Sequence, residues 1–258
     1  MTFGDDLVAA LRAWRAAPLL PLIYVGICLA PYAPFPPMWS LTAPAVLLFW
    51  VGWVGTERIW YLRLFRGKEL PAAEALAMTW QFLGRYLLLA LITGVPAAAL
   101  YALGIWAAGG FGSDPRPTEP PVMAAGLLAV LLVGFALTFI APALAFTTRQ
   151  IRAAGRIGFR MLSEGWPRTF SYALIPSIAL AFVTYAPSLL APDSLAYQLP
   201  GVVVMALLST LFRGGIAAYY LRYMEVGDEG AAYAPSELSR AERAVPIATD
   251  DSPRRVTL

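Results

Sequence analysis

Hydrophobic residues in this chain come in long unbroken runs, and charged residues fall in short blocks between them. A helix needs about 20 apolar residues to cross a hydrocarbon layer about 30 Å thick. The run from Ala16 to Thr56 holds no charge but is too long for one crossing. It is divided by PYAPFPPM (Pro31 to Met38), whose four prolines cannot continue a helix. The first two spans are therefore expected at Pro18–Ala33 and Ser40–Trp60. Later runs predict spans at Tyr86–Gly109, Val122–Phe146, Phe170–Leu190 and Leu199–Leu221. None of the six alternates with period two, which excludes a β-barrel. The expected fold class is all-α: a polytopic membrane helical bundle with six transmembrane helices plus interfacial amphipathic helices.

Basic residues orient the bundle, because Lys and Arg accumulate in cytoplasmic loops. Arg12 and Arg15 precede the first span. Arg58, Arg63, Arg66, Lys68 and Arg85 lie between the second and third, and Arg149, Arg152, Arg156, Arg160 and Arg168 between the fourth and fifth. Arg222, Arg240, Arg243, Arg254 and Arg255 follow the sixth, whereas the opposite loops hold only Arg116. Both termini are expected inside, in the plasma (inner) membrane. Trp14, Trp60, Trp80 and Trp166 fall near the inner boundary, Trp39 and Trp106 near the outer one. Asp5 and Asp6 occupy the place of a basic leader region, so no cleavage is expected.

Three segments outside the spans have helical periodicity. Phe3, Leu7, Leu11 and Trp14 share a face in residues 1–16, expected as an N-terminal interfacial helix. A second begins at Pro71, with Leu76, Trp80 and Leu83 at helical spacing. In the third, Arg149, Arg152, Arg156 and Arg160 form a basic stripe, with Ile151, Ala154, Phe159 and Leu162 on the opposite side; Ile151, Phe159 and Leu162 are expected to be buried. The stripe suits anionic lipid headgroups or an acidic partner, and it also follows from the positive-inside rule alone. Met78–Leu91 matches Met161–Leu174 at four positions, and YLR recurs at Tyr61–Arg63 and Tyr220–Arg222. Residues 17–223 form the expected transmembrane domain. Residues 224–258, rich in Ala, Ser, Pro and charge, are expected as a disordered cytoplasmic tail.

Composition narrows the chemistry. Apolar residues make up 59% of the chain and charged residues 14%, against about 25% in soluble domains. There is no histidine and one cysteine, Cys28 in the apolar run IYVGICLA. Imidazole chemistry and an internal disulfide are thereby excluded.

The segments RGKELPAAEALAMTWQFLGRYL (Arg66–Leu87) and RAAGRIGFRMLSEGWPRTFSYAL (Arg152–Leu174) resemble the recurring inner-loop pattern of the membrane domain fused to some bacterial glycerophosphodiester phosphodiesterases. The resemblance covers about Leu11 to Tyr223 and implies a six-helix membrane fold. These 258 residues hold no counterpart of the phosphodiesterase domain, so no catalytic residue carries over.

Within the spans, Arg213 is the clear ionisable residue, about 13 Å along the axis from Arg222. Such a residue is a functional candidate by default. A structural pair or snorkelling would also account for it. Glu57, near the inner end of the second span, is its expected partner, with Gly214 and Gly215 allowing close approach. Pro44, Pro96, Pro142 and Pro176 lie inside spans and free backbone carbonyls. Trp50, Trp53, Thr93, Thr138, Ser177, Thr184 and Ser209 are scattered polar or amphipathic groups that suit helix packing. The expected function is a non-catalytic membrane component: a scaffold, partner subunit or envelope-homeostasis factor. The alternative is a transporter or permease subunit moving a small or anionic substrate. An enzyme is not expected, nor a cofactor, a metal or a nucleic-acid partner. The expected partners are the bilayer, anionic headgroups on its cytoplasmic side and a second protein.

Overall fold

The computed structural model describes residues 2–32, 39–109, 119–166, 168–190 and 195–223, and among these every regular element is helical. The expected tail at 224–258 and the expected loop at Pro31–Met38, beyond Tyr32, lie outside the described residues. The elements are α1 (Phe3–Ala16), α2 (Leu19–Leu29) with a 3₁₀ turn (Ala30–Tyr32), α3 (Trp39–Phe65) and α4 (Ala72–Ala107). They continue with α5 (Pro120–Phe135), a π-helical segment (Ala136–Ile140), α6 (Ala141–Phe146), α7 (Ile151–Gly165), α8 (Arg168–Leu190) and α9 (Leu195–Tyr223).

Three described stretches are long and apolar enough to cross a membrane: Ala72–Ala107, Pro120–Phe146 and Leu199–Arg222. Phe3–Ala16 and Leu19–Tyr32, bent by 92°, make a fourth if taken as one broken span. Their outward faces carry large apolar side chains, as on α4, where Leu88, Leu91, Ile92, Val95 and Leu103 are exposed. Exposed Trp80 and Trp106 lie near the two ends of α4, about 39 Å apart at 1.5 Å per residue. That separation approaches the thickness of a bilayer with its headgroups.

Local chemistry sets the breaks. Gly67, at φ 65°, ends α3 in a left-handed turn, with the Lys68 amide donating to the Arg63 carbonyl. Pro71 then precedes the first turn of α4. A separate interfacial helix after Pro71 was expected. Instead α4 runs unbroken for 36 residues, because no proline interrupts it before Pro96 and the intervening residues are good helix formers. Helix α4 pairs antiparallel with α5–α6: Gly104 faces Pro121, Val122 and Ala125, while Tyr86 and Arg85 donate to the carbonyls of Ala141 and Leu144.

Other expectations change with the packing. In α1 the buried residues are Asp6, Ala9, Ala10 and Ala13, while Leu11 is exposed. The small residues of α1 pack closest to α9, flanked by Leu7 against Gly215 and Phe3 against Phe212. Gly214 makes room there: a Cβ would lie 2.6 Å from the Tyr61 ring and 2.7 Å from the Ala10 Cβ. Gly215 faces Leu7 in the same way. The two glycines thus admit α1 and Tyr61. Trp60 is buried against Trp53.

Candidate functional site

The chemistry of the bundle lies in charged groups that its interior encloses. Glu57 on α3 is 0% exposed and Arg213 on α9 is 8% exposed. The structure brings them together, with Arg213 Nε 2.7 Å from Glu57 Oε2. The guanidinium also lies over the Tyr24 ring of α2, 4.0 Å from its centroid, and its Nη2 donates to Thr210 Oγ1 at 3.3 Å. The cation therefore meets an anion, an aromatic face and a hydroxyl in a region removed from water, where each attraction is strengthened. Tyr24 is held in turn by Trp50, whose Nε1 donates to the tyrosine oxygen at 3.1 Å.

Arg58, the next residue on α3, was expected between the second and third spans but lies buried within α3. Its Nη1 donates to the Val54 carbonyl at 2.6 Å and its Nη2 to the Leu137 carbonyl at 2.8 Å. Leu137 belongs to the π-helical segment, where one widened turn disrupts the regular carbonyl pattern. Pro142 follows at the start of α6 and removes a further amide donor. Arg58, Tyr86 and Arg85 thus donate to the carbonyls of residues 137, 141 and 144, along one side of the interrupted helix. Pro142 is the one candidate proline that lies beside such a break.

The Glu57–Arg213 contact is an ion pair without an aligned hydrogen bond. Among the described residues, both Glu57 oxygens and the nitrogens Arg213 Nε, Arg58 Nε and Trp53 Nε1 lack a well-directed partner. Such buried groups are uncommon in folded proteins.

A second acidic centre lies on α1. Asp6, also buried, accepts from the Tyr172 hydroxyl of α8 and pairs with Arg222 of α9. Between the two centres, Tyr61 accepts from Trp14 Nε1 at 2.6 Å and donates to the Thr210 carbonyl at 2.9 Å. Asp6, Arg58 and Tyr61 were not singled out as site residues from the sequence. The signal for Asp6 was its spacing to Ala9, Ala10 and Ala13 on one helical face. For Arg58 it was adjacency to Glu57 inside an apolar helix.

The remaining candidates separate. Thr93 and Thr138 donate to the carbonyls of Leu89 and Gly134 in their own helices, a local use of the hydroxyl. Ser177 and Ser209 are buried, and the Thr184 side chain lies outside the described residues. The four arginines 149, 152, 156 and 160 are all exposed, well away from the Glu57 centre in sequence and burial. No group of three metal-ligating side chains occurs among the described residues. The described residues form an all-helical bundle in which three stretches, or four with the bent pair, are long and apolar enough to cross a membrane. Comparisons with protein-family models, curated proteins and solved structures find no match to this chain.

Proposed function

We propose that this chain is a multi-pass integral protein of the plasma membrane, with six spans and both termini cytoplasmic, serving as a non-catalytic membrane component. The spans are α2, α3, α4, α5–α6, α8 and α9. Helices α3 and α8, at 27 and 23 residues, are long enough to cross a hydrocarbon core of about 30 Å. With its terminal turn α2 rises about 21 Å and makes the shortest crossing. The likeness of Arg66–Leu87 and Arg152–Leu174 to the membrane domain fused to glycerophosphodiester phosphodiesterases belongs to the same proposal. Cysteine labelling from either side of the membrane tests it. With Cys28 replaced, single cysteines at Gly67 and Ser163 should react only from the cytoplasm, and one at Gly109 only from outside.

One observation carries the non-catalytic role: the buried charges are satisfied mainly by one another and by neighbouring helices. Arg213 binds Glu57 and Tyr24, Arg58 binds two carbonyls, and Asp6 binds Arg222 and Tyr172. Apart from the Arg58–Val54 bond within α3, these contacts tie helices together, which is what a scaffold or partner subunit requires. Replacing a buried pair by packed apolar residues is often tolerated, whereas removing one partner is not. A Glu57→Leu/Arg213→Leu double variant should therefore insert, fold and support the protein's cellular role in a strain lacking the native copy.

A transporter or permease subunit for a small or anionic substrate is the second reading. It is favoured by the π-helical break beside Arg58 and by the undirected oxygens of Glu57. Interrupted helices with buried ionisable groups are a recurring basis for substrate sites. Under that reading the double variant folds normally and loses function completely.

A further inference from the structure

Helix α7 is amphipathic in a way that burial, not sequence, reveals. Its inward arc is Ala153, Ala154, Ile157, Gly158 and Met161. Gly158 seats this arc on the π-helical segment, where a Cβ would lie 3.0 Å from the backbone carbon and oxygen of Phe139. Phe159 was expected to be buried with Ile151 and Leu162. It is instead 66% exposed, because at 100° per residue it lies well outside the inward arc. Ile151 and Leu162 are half-buried at the margin.

The outward surface has two flanks. One is aromatic: Phe159, then Trp166 at the end of the helix, 58% exposed, and Phe170 in the first turn of α8. The rings of Trp166 and Phe170 lie 4.6 Å apart. The other flank carries Arg149, Arg152, Arg156 and Arg160, all exposed. Arg160 pairs with Glu164 at 2.7 Å, and Arg152 and Arg156 have no acidic partner among the described residues.

The neighbouring helix identifies what covers this surface. Phe170 opens α8, which further along exposes Ile175, Ile178 and Phe182. These residues recur at helical spacing on a span in the proposed topology. A soluble acidic partner would satisfy the arginines but would not account for an aromatic edge at the start of a span. Aromatic rings beside basic side chains suit the boundary between acyl chains and headgroups.

We infer that α7 docks on the surface of an anionic leaflet, with Phe159, Trp166 and Phe170 at the headgroup–acyl boundary and the arginine stripe on lipid phosphates. The inference rests on the proposed membrane topology. In this arrangement α7 clamps the π-helical segment from one side and anionic lipid holds it from the other. The lipid surface thereby contacts, through one helix, the segment that binds Arg58.

The test uses the full chain in vesicles, with Cys28→Ala and a single cysteine introduced by Ser163→Cys to carry a fluorophore. A control places the label by Val95→Cys on the exposed face of α4. Vesicles contain zwitterionic phosphatidylcholine alone or with about 30 mol% phosphatidylglycerol, a composition chosen to give a negative surface potential. Lipids bearing quenchers at shallow or deep positions report depth. The Ser163 label should be quenched by shallow probes, more strongly with the anionic lipid. Arg152→Glu/Arg156→Glu should abolish that increment, and Phe159→Ser/Trp166→Ser should reduce quenching in both compositions. An unquenched Ser163 label beside a deeply quenched Val95 label overturns the docking and leaves the topology standing. If neither label is quenched, the membrane reading itself fails and the docking falls with it. A soluble acidic partner gives the first of these two outcomes, since the vesicles contain none.

Discussion

Two acids in this bundle meet two arginines of the same helix, and they are held in opposite ways. Asp6 accepts from a tyrosine hydroxyl with one oxygen and pairs with Arg222 through the other. Glu57 touches Arg213 at 2.7 Å, yet among the described residues neither of its oxygens receives a well-directed hydrogen bond. The first arrangement is a closed latch that fastens α1 to α8 and α9. In the second, a carboxylate is held by the nearness of its cation. Both acids are buried, and the Glu57–Arg213 pair persists because separating the charges would leave each alone in a medium of low dielectric.

The largest effect is expected from separating the enclosed pair. Arg213→Leu leaves Glu57 buried without its cation and should cost about 3–5 kcal/mol, read from denaturation in mixed micelles. The double variant with Glu57→Leu should recover most of that loss. Equal instability of single and double variants would show that the pair does not behave as a unit. Asp6→Asn keeps an acceptor for Tyr172 but removes the charge facing Arg222. A cost of about 1–3 kcal/mol is expected, confined to α1. Faster modification of a cysteine placed at Ala10, with unchanged reactivity elsewhere, would register that release.

Between the two centres lies Gly214, and its replacement should disturb both. Gly214→Ala places a methyl group 2.6 Å from the Tyr61 ring, at an expected cost of about 1–3 kcal/mol from overpacking. Gly215→Ala meets only the flexible tip of Leu7, 3.0 Å away, and should cost distinctly less. Similar losses for the two variants in the same denaturation assay would show that Gly214 is not the tight contact between α1, α3 and α9.

The smallest effect concerns the start of α1. Thr2 and Asp5 form a capping box, in which the Thr2 amide donates to Asp5 and the Asp5 amide donates to the threonine hydroxyl. Hydrogen bonding from the Thr2 backbone, then from its hydroxyl, holds the Asp5 carboxyl below its ordinary value of 3.8. A depressed carboxyl stabilises the fold fully above its unfolded pKa, and that contribution is lost as pH falls through the folded value. The amide protons of the first turn of α1 should therefore exchange faster only in strong acid. Asp5→Asn should remove this dependence while leaving the Asp6 latch in place.

Much of the architecture is legible in the order of residues. Charge-free runs, Pro31 to Met38, Gly67 and Pro71 mark where helices start and stop, since backbone sterics act locally. Counting along the apolar runs also brings Glu57 and Arg213 to one depth, because rise per residue is constant. Sequence alone did not reveal how each helix is rotated. Lipid and protein interior are equally apolar, so hydropathy separates membrane from water but not the packed face of a helix from its lipid-facing side. That is why α1 buries alanines and leaves Leu11 exposed, why Phe159 points outward, and why Arg58 is buried within α3. These rotations follow from where backbones can approach, at Gly158 and Gly214, and from which carbonyls the π-helical segment presents. Contacts between residues far apart in the chain decide both, and only the folded bundle contains them.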